Sequence, residues 1–440
     1  MRTRLLLVAA LLAAAPLQAQ DTSWVSRSAL YEVFVQDFSA RGDFRGVIEG
    51  LDRIQATGVN TLGIMPVQPI GVINRKGQLG SPYAISDYRA FNPSFGTADD
   101  FRALVRAAHE RGMKVILDWV PDHTAPDHAW VKQHPDWYFK NDKGEPSVPR
   151  DGNGNLTDWT DVVQLDYKNP ELRREMIATM RWWIEEFNLD GFRVDVAGFI
   201  PYDFQEEAIT ELRRAVPRRL LMLAEWGDLE LTGRGYDLVY AWDTYARLKQ
   251  IWKGGTASNF VAKEVEELSH MPPGGMRMRF TTNHDETSWD QPPPVLFGAG
   301  APARAAFVAL ALLPGRPLLY NGQEVESPQK LNLFTKEAVQ WDQPDAAAAR
   351  DFYSEIVELA TTNPDFISGP LDTVIVDNPA DVIAYRRGNS IVLVNPRSRA
   401  VSVALNQTAG GRDLLSGKPL EGTRIHLSPY EVAILEVPRH

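Results

Sequence analysis

The sequence predicts an α/β fold: a closed (β/α)8 barrel of the TIM type, with an excursion after the third strand and an antiparallel β-domain at the C-terminus. Three observations carry this. Apolar runs of strand length alternate with helix-period segments after residue 29. Eight such runs occur, mostly with a helical pattern between them. After about residue 366 the pattern changes to short alternating strands separated by turn residues. Repeated strand–helix alternation implies a parallel sheet. Eight units suit closure into a barrel.

Taken in order, "MRTRLLLVAALLAAAPLQAQ" has two arginines, an apolar run and small residues near Ala19. That is the layout of a secretory signal over residues 1–19, so the protein is expected to be exported, to the periplasm or the medium. The run is too short and Ala-rich for a membrane span, and none is expected in the mature chain. The barrel is expected over 24–365. "YEVFVQ" (Tyr31–Gln36) reads as the first strand, followed by a helix over Phe44–Thr57. "NTLGIMPV" (Asn60–Val67) is the second. Thr97 reads as the N-cap of the next helix and Gly112 as its stop. "KVILDWV" (Lys114–Val120) is the third strand. Residues 124–168 lack a clear period and read as an excursion over the barrel mouth. Pro170 opens a helix that runs to Asn188 and leads into "GFRVDV". Later strands are expected at Leu220–Trp226, Asp237–Trp242, Arg279–His284 and Pro317–Gly322. Residues 366–440 form a β-sandwich in this reading.

Bulk composition narrows the function. The chain has 440 residues and a net charge of −11, which becomes −13 once Arg2 and Arg4 leave with the signal. So acidic a surface disfavours nucleic acid and anionic membranes and is compatible with a neutral ligand. The absence of cysteine excludes a thiol nucleophile, thiolate metal sites and a lipidated N-terminal Cys. An exported protein without disulfides must be held by its core, which this length allows.

Catalytic groups in such barrels sit at the C-terminal ends of the strands. Four strand ends here carry them: Asp118, Asp122 and His123; Arg193 and Asp195; Glu225; and Asn283, His284 and Asp285. A lone charged residue at a strand end is usually a structural pair, but four sets on one face are hard to explain that way. Converging carboxylates suit glycosidic cleavage, which needs one acid to protonate the leaving oxygen and one carboxylate to attack the sugar. Arg193 would keep Asp195 ionised, and the apolar setting of Glu225 in "LMLAEWG" would favour its protonated form.

These motifs resemble those of the α-amylase family of retaining glycoside hydrolases. "DWVPDH" (118–123), "GFRVDV" (191–196), "LAEW" (223–226) and "TNHDE" (282–286) come in that family's order. "SPYAISDY" (81–88), "QLDY" (164–167) and "GRPLLYNGQE" (315–324) support them. The resemblance implies Asp195 as nucleophile, Glu225 as acid/base and Asp285 as transition-state stabiliser. It implies Tyr83 stacked under the sugar, His123 and His284 on its hydroxyls, and Arg193 orienting Asp195. A Tyr face does suit the apolar face of a sugar, and imidazoles suit fixed hydroxyls. On its own, His123 reads equally well as a packed core histidine.

The sequence also departs from the family pattern. Asp122 stands where the family usually has Asn. Gly198 and Phe199 stand where many members carry Lys-His, on the side of the leaving sugars. The first βα loop, "QDFSARGDFRG", is too short for the calcium loop of some relatives, and no N-terminal module is expected before the barrel. "DGNGNLTD" (Asp151–Asp158) resembles part of a calcium loop but has Val162 where the bidentate Glu belongs, so it reads as a polar turn. No cofactor is expected to be required, and no metal ligands are assigned, although a structural calcium is left open. Most of the 12 Trp are expected in the core, with Trp130, Trp137 and Trp159 as candidate sugar platforms. The expected activity is hydrolysis of α-1,4-glucosidic bonds in starch-type glucans or maltooligosaccharides. The alternatives are a transglycosylase or glucan isomerase on the same site, or a non-catalytic carbohydrate-binding protein that would have lost part of the triad.

Overall fold

The computed structural model describes residues 23–405, 411–420 and 422–437. The expected signal at 1–19 lies outside them. Strands β1 (Leu30–Val33), β2 (Thr61–Ile64), β3 (Lys114–Trp119), β4 (Gly191–Val194), β5 (Leu221–Ala224), β6 (Leu238–Tyr240), β7 (Met276–Arg279) and β8 (Arg316–Tyr320) close into a parallel barrel in chain order. β8 pairs back onto β1 through Leu30–Leu318 and Tyr31–Leu319. Most of these strands are buried along their whole length, which is why they read as continuous apolar runs. Gly191 shows how tight the wall is. It sits at φ +152°, and a Cβ there would lie 1.9 Å from the carbonyl oxygen of Leu221 on the neighbouring strand.

The helices start where local chemistry can satisfy their free N–H groups. Asp43 caps Phe44–Gln55, Thr97 closes a capping box on Ala98–Glu110, and Asn169 caps Pro170–Phe187. Gly112 follows the second of these at φ +75°.

Two strands differ from the sequence reading. β1 stops at Val33, and Val35–Phe38 forms a helical turn in place of the expected strand end at Gln36. β7 is Met276–Arg279, one strand length before the expected Arg279–His284. Its "MRMR" pattern hid it. Arg279 is fully buried and pairs with Glu264 at 2.8 Å, while Arg277 pairs with Asp243 and Glu267. Both arginines thus serve the barrel–helix layer, a use that their own segment does not announce. His284, read as the end of that strand, instead opens a short helix, His284–Trp289, capped by Asn283.

The excursion rises from the end of β3. His123–Thr124 pairs antiparallel with Val163–Gln164 and closes its base. At the C-terminus, five strands form one antiparallel sheet and Val401–Ala404 pairs with Arg424–Leu427 in a second. Ile391, Leu393, Val403 and Leu427 pack between the two sheets. Buried Arg387 ties this unit to the barrel through the carbonyls of Leu312 and Phe366.

Candidate active site

The barrel brings together all seven residues singled out above. Asp195, Glu225, Asp285, Tyr83 and His123 line one pocket over the C-terminal ends of the strands. Arg193 and His284 lie directly beneath them, 3% and 1% exposed.

Arg193 is the hub. Its Nη1 donates to Asp118 Oδ1 at 2.8 Å and to Asp195 Oδ1 at 3.0 Å. Its Nη2 lies 2.6 Å from Glu225 Oε1 as a close ion pair. Only a forked guanidinium can serve carboxylates from three strand ends at once. The expectation had Arg193 serving Asp195 alone and Glu225 in an apolar setting. The structure corrects both. Glu225 also accepts a hydrogen bond from the Val196 N–H at 2.8 Å, so both its oxygens face donors. Val196 itself adopts φ +38°, a costly conformation for a β-branched residue, held beside the reacting groups.

Burial raises the pKa of both carboxyls above the ordinary range. The Glu225 charge further raises Asp195 and the Asp285 charge raises Glu225, while Arg193 pulls both down. Asp195 is therefore not simply kept ionised by its arginine. Each carboxyl holds a proton more readily than a free one, and the Glu225 charge makes ionisation of Asp195 harder.

A second network runs behind the first. Tyr83 donates its hydroxyl proton to Asp118 at 3.0 Å and accepts from His284 Nε2 at 2.6 Å. His284 Nδ1 meets Glu32 Oε1 at 2.8 Å, and its backbone N–H donates to Glu32 Oε2. Burial alone would lower the His284 pKa, but the Asp285 and Glu32 carboxylates outweigh it and push it up to about 10. His284 is thus an imidazolium that donates from both nitrogens. Glu32, on β1, was missed in the sequence. The signal was there: a lone carboxylate inside the apolar run "YEVF", the same anomaly that marked Arg193.

His123 is buried. Its Nδ1 meets Asp122 Oδ2 at 3.1 Å, and Gln164 holds the other Asp122 oxygen. Asp122 thus fixes the imidazole that lines the pocket. Asp285 is one-third exposed and accepts from Trp289 Nε1 at 3.2 Å.

Of the three candidate sugar platforms, only Trp159 lines the pocket. Trp137 is 4% exposed, and Trp130 packs against it and against Tyr88. Both pack into the main core, continuous with Tyr88 and Trp119 of the barrel. Trp159 stacks on Phe199 at 6.0 Å, and Phe199 meets Trp226 edge-on at 5.5 Å. Gly198 is required there, because a Cβ would fall 2.0 Å from the Trp226 ring. The Gly198–Phe199 pair thus builds an aromatic side to the mouth.

The Asp151–Asp158 segment does not fit a calcium site. Asp151 Oδ1 accepts from the backbone of Asn153 and Asn155, and Oδ2 accepts from the Asn155 side chain. Its carboxylate is used to close the turn. Among the described residues, no group of three or more acidic, His or Cys side chains is arranged to hold a metal ion.

Fold and mouth together define a barrel enzyme with a buried carboxylate–arginine centre under an aromatic-edged pocket. The family model for the α-amylase catalytic domain matches residues 21–230. A maltogenic α-amylase from Thermotoga neapolitana superposes with a TM-score of 0.83 at 30% identity, over 94% of this chain and 99% of its own. An α-amylase from Lactobacillus plantarum does so at 0.81 and 28%, with the same coverage. In sequence, an α-amylase of Haloarcula japonica is 28% identical over 420 residues, which are 90% of this chain and 59% of that longer relative. The chain belongs to the α-amylase family of glycosidases.

Proposed function

We propose that the protein hydrolyses α-1,4-glucosidic bonds in starch-type glucans or maltooligosaccharides by a retaining double displacement. The observation that carries this is Arg193 joining Asp195 and Glu225 beneath a pocket that also presents Tyr83, His123 and Asp285. In the productive state Glu225 is protonated and Asp195 ionised, and Glu225 gives its proton to the leaving oxygen. Asp195 Oδ2, free of Arg193, attacks the sugar carbon and forms a glycosyl ester. The leaving sugar departs, and Glu225, now ionised, takes a proton from water as that water cleaves the ester. Asp285 and His123, which line the pocket, hold the ring hydroxyls while positive charge builds at the sugar, and His284 fixes Tyr83 from beneath. Relatives of the chain include a cyclomaltodextrinase and an α-1,4-glucan:maltose-1-phosphate maltosyltransferase, which supports an α-1,4-glucan as the substrate class.

A transglycosylase is the second reading, favoured by the Trp159–Phe199–Trp226 surface, which suits a stacked acceptor sugar. Incubation with maltooligosaccharides, pullulan, cyclodextrins, sucrose and trehalose separates the readings. Hydrolysis yields shorter maltooligosaccharides, first seen as α-anomers by proton NMR. Products longer than the substrate favour transfer, and β-anomers first would overturn the retaining centre. We propose export as well, on the layout of residues 1–19. An intact N-terminus on protein recovered from the producing cells would overturn it.

A further inference from the structure

Around the pocket, the rim is built very differently on its two sides. In the barrel, β1 lies opposite β5, with β2 and β8 as its neighbours. Glu225 follows β5 and protonates the leaving oxygen, so the leaving part of a substrate lies on the β4–β5 side. The non-reducing part must point the other way, towards the loops after β2 and β8.

Those loops meet. The β2 loop crosses the mouth, and its Leu79 N–H donates to the Phe334 carbonyl of the β8 loop at 2.9 Å. At its other end Asn74 Nδ2 donates to the Thr160 carbonyl of the excursion at 2.9 Å, and Lys76 pairs with Asp161 at 3.2 Å. Trp289, after β7, packs edge-on against Phe334 and extends the wall towards Asp285. Lys76, Asp161 and Phe334 all line the pocket. Beyond this strap lies a separate cleft, lined by Arg41, Arg75 and Gln78, which shares no residue with the pocket. On the β4 side Trp159 of the pocket stacks directly on Phe199, which with Gly198, Pro201 and Asp203 lines a further cleft.

We propose that the enzyme takes its glucan only by the non-reducing end, in a pocket closed by the β2–β8 strap, with the Lys76–Asp161 pair reading the hydroxyls of the terminal sugar. This rests on the proposed glucan hydrolysis. Asp161 is almost wholly buried and held by Lys76, whose Nζ keeps further donors for a hydroxyl. A chain passing through would have to break the strap, whereas a chain end needs only to fill the pocket.

The test compares p-nitrophenyl maltoheptaoside with the same compound carrying a 4,6-O-ethylidene block on its terminal sugar. The blocked compound should be cut at least ~10²-fold more slowly. Lys76→Ala and Phe334→Ala should narrow that ratio, and amylose should yield one short product from the earliest times. Equal rates on both compounds, a ratio that neither variant moves, or an early spread of product lengths overturns the proposal and leaves glucan hydrolysis standing. No cleavage of either compound or of free maltoheptaose overturns the hydrolytic reading itself, and this proposal with it.

Discussion

The floor of the pocket and its rim are held in different ways. Arg193, Asp195 and Glu225 stand at the ends of barrel strands, nearly buried, and each is tied to a neighbouring strand end. Lys76 and Phe334 stand on loops and Trp289 at the end of a short helix; none is buried, and they meet partners across large gaps in sequence. The floor needs sub-ångström placement for bond making, and a closed parallel barrel supplies it. The rim only has to admit or refuse a chain, and loops can vary without disturbing the floor. On the proposed function, chemistry belongs to the strands and selection to the loops.

The largest effects should come from the floor. Asp195→Ala and Glu225→Gln should each lower kcat by at least ~10³, since each removes a chemical role. Both variants should keep a cooperative melt, because these groups face the mouth. Near-normal turnover in either variant would break the division between floor and rim. Arg193→Met should be less forgiving of the fold, since it leaves three buried carboxylates without their cation. A loss of ~3–5 kcal/mol in denaturant unfolding is expected. An unchanged midpoint would show that the hub is not holding the strand ends.

Glu32→Gln tests the layer behind the floor. It should lower kcat/KM by ~10–10²-fold, the worth of a charge-assisted hydrogen bond. The pH profile gives the sharper readout. The His284 pKa is raised from 6.5 to about 10, so the stability that its charge contributes is fully present below pH 6.5. It is lost as pH rises through about 10. Removing the Glu32 charge lowers that pKa, so the alkaline limb of kcat/KM should move to lower pH. A limb that stays in place would remove His284 from the reacting layer.

On the rim, Gly198→Ala should push the Trp226 ring and cost ~1–3 kcal/mol of stability. It should alter the balance of transfer over hydrolysis more than the rate of glycosyl-ester formation. Equal effects on both would place Gly198 in the floor. The smallest effect is expected from chelation, which should leave turnover unchanged, because the Asp151 carboxylate already closes its own turn. Calcium-reversible loss of turnover would contradict that.

This division also explains what the sequence shows and what it conceals. The floor was legible because its residues violate local pattern: a charge at the end of an apolar run costs energy and needs a reason. Asp118, Arg193 and Glu225 could be found one segment at a time. The ion pairing among them could not, since it depends on how β3, β4 and β5 lie side by side. Glu32 carried the same anomaly but had no second charge beside it to draw notice. Lys76, Asp161 and Phe334 carry no local anomaly, because each is ordinary in its loop and gains meaning only from a distant partner. Trp130 and Trp137 erred in the opposite sense. Aromatic residues in an aperiodic segment look like a binding surface, yet the excursion must be anchored to the barrel, and these two pack into the main core beside Tyr88. β7 was displaced because Arg277 and Arg279 are buried against partners on other elements.

The central claim is that Asp195 carries the sugar between the two halves of the reaction. It is tested most directly in the Glu225→Gln variant with α-maltosyl fluoride, whose leaving group needs no acid. The ester should form and persist, because the group that activates water is gone. Intact-mass analysis should show one added maltosyl unit, peptide mapping should place it on Asp195, and the Asp195→Ala variant should show none. Fluoride consumed without an adduct, or an adduct on any other residue, would contradict the account.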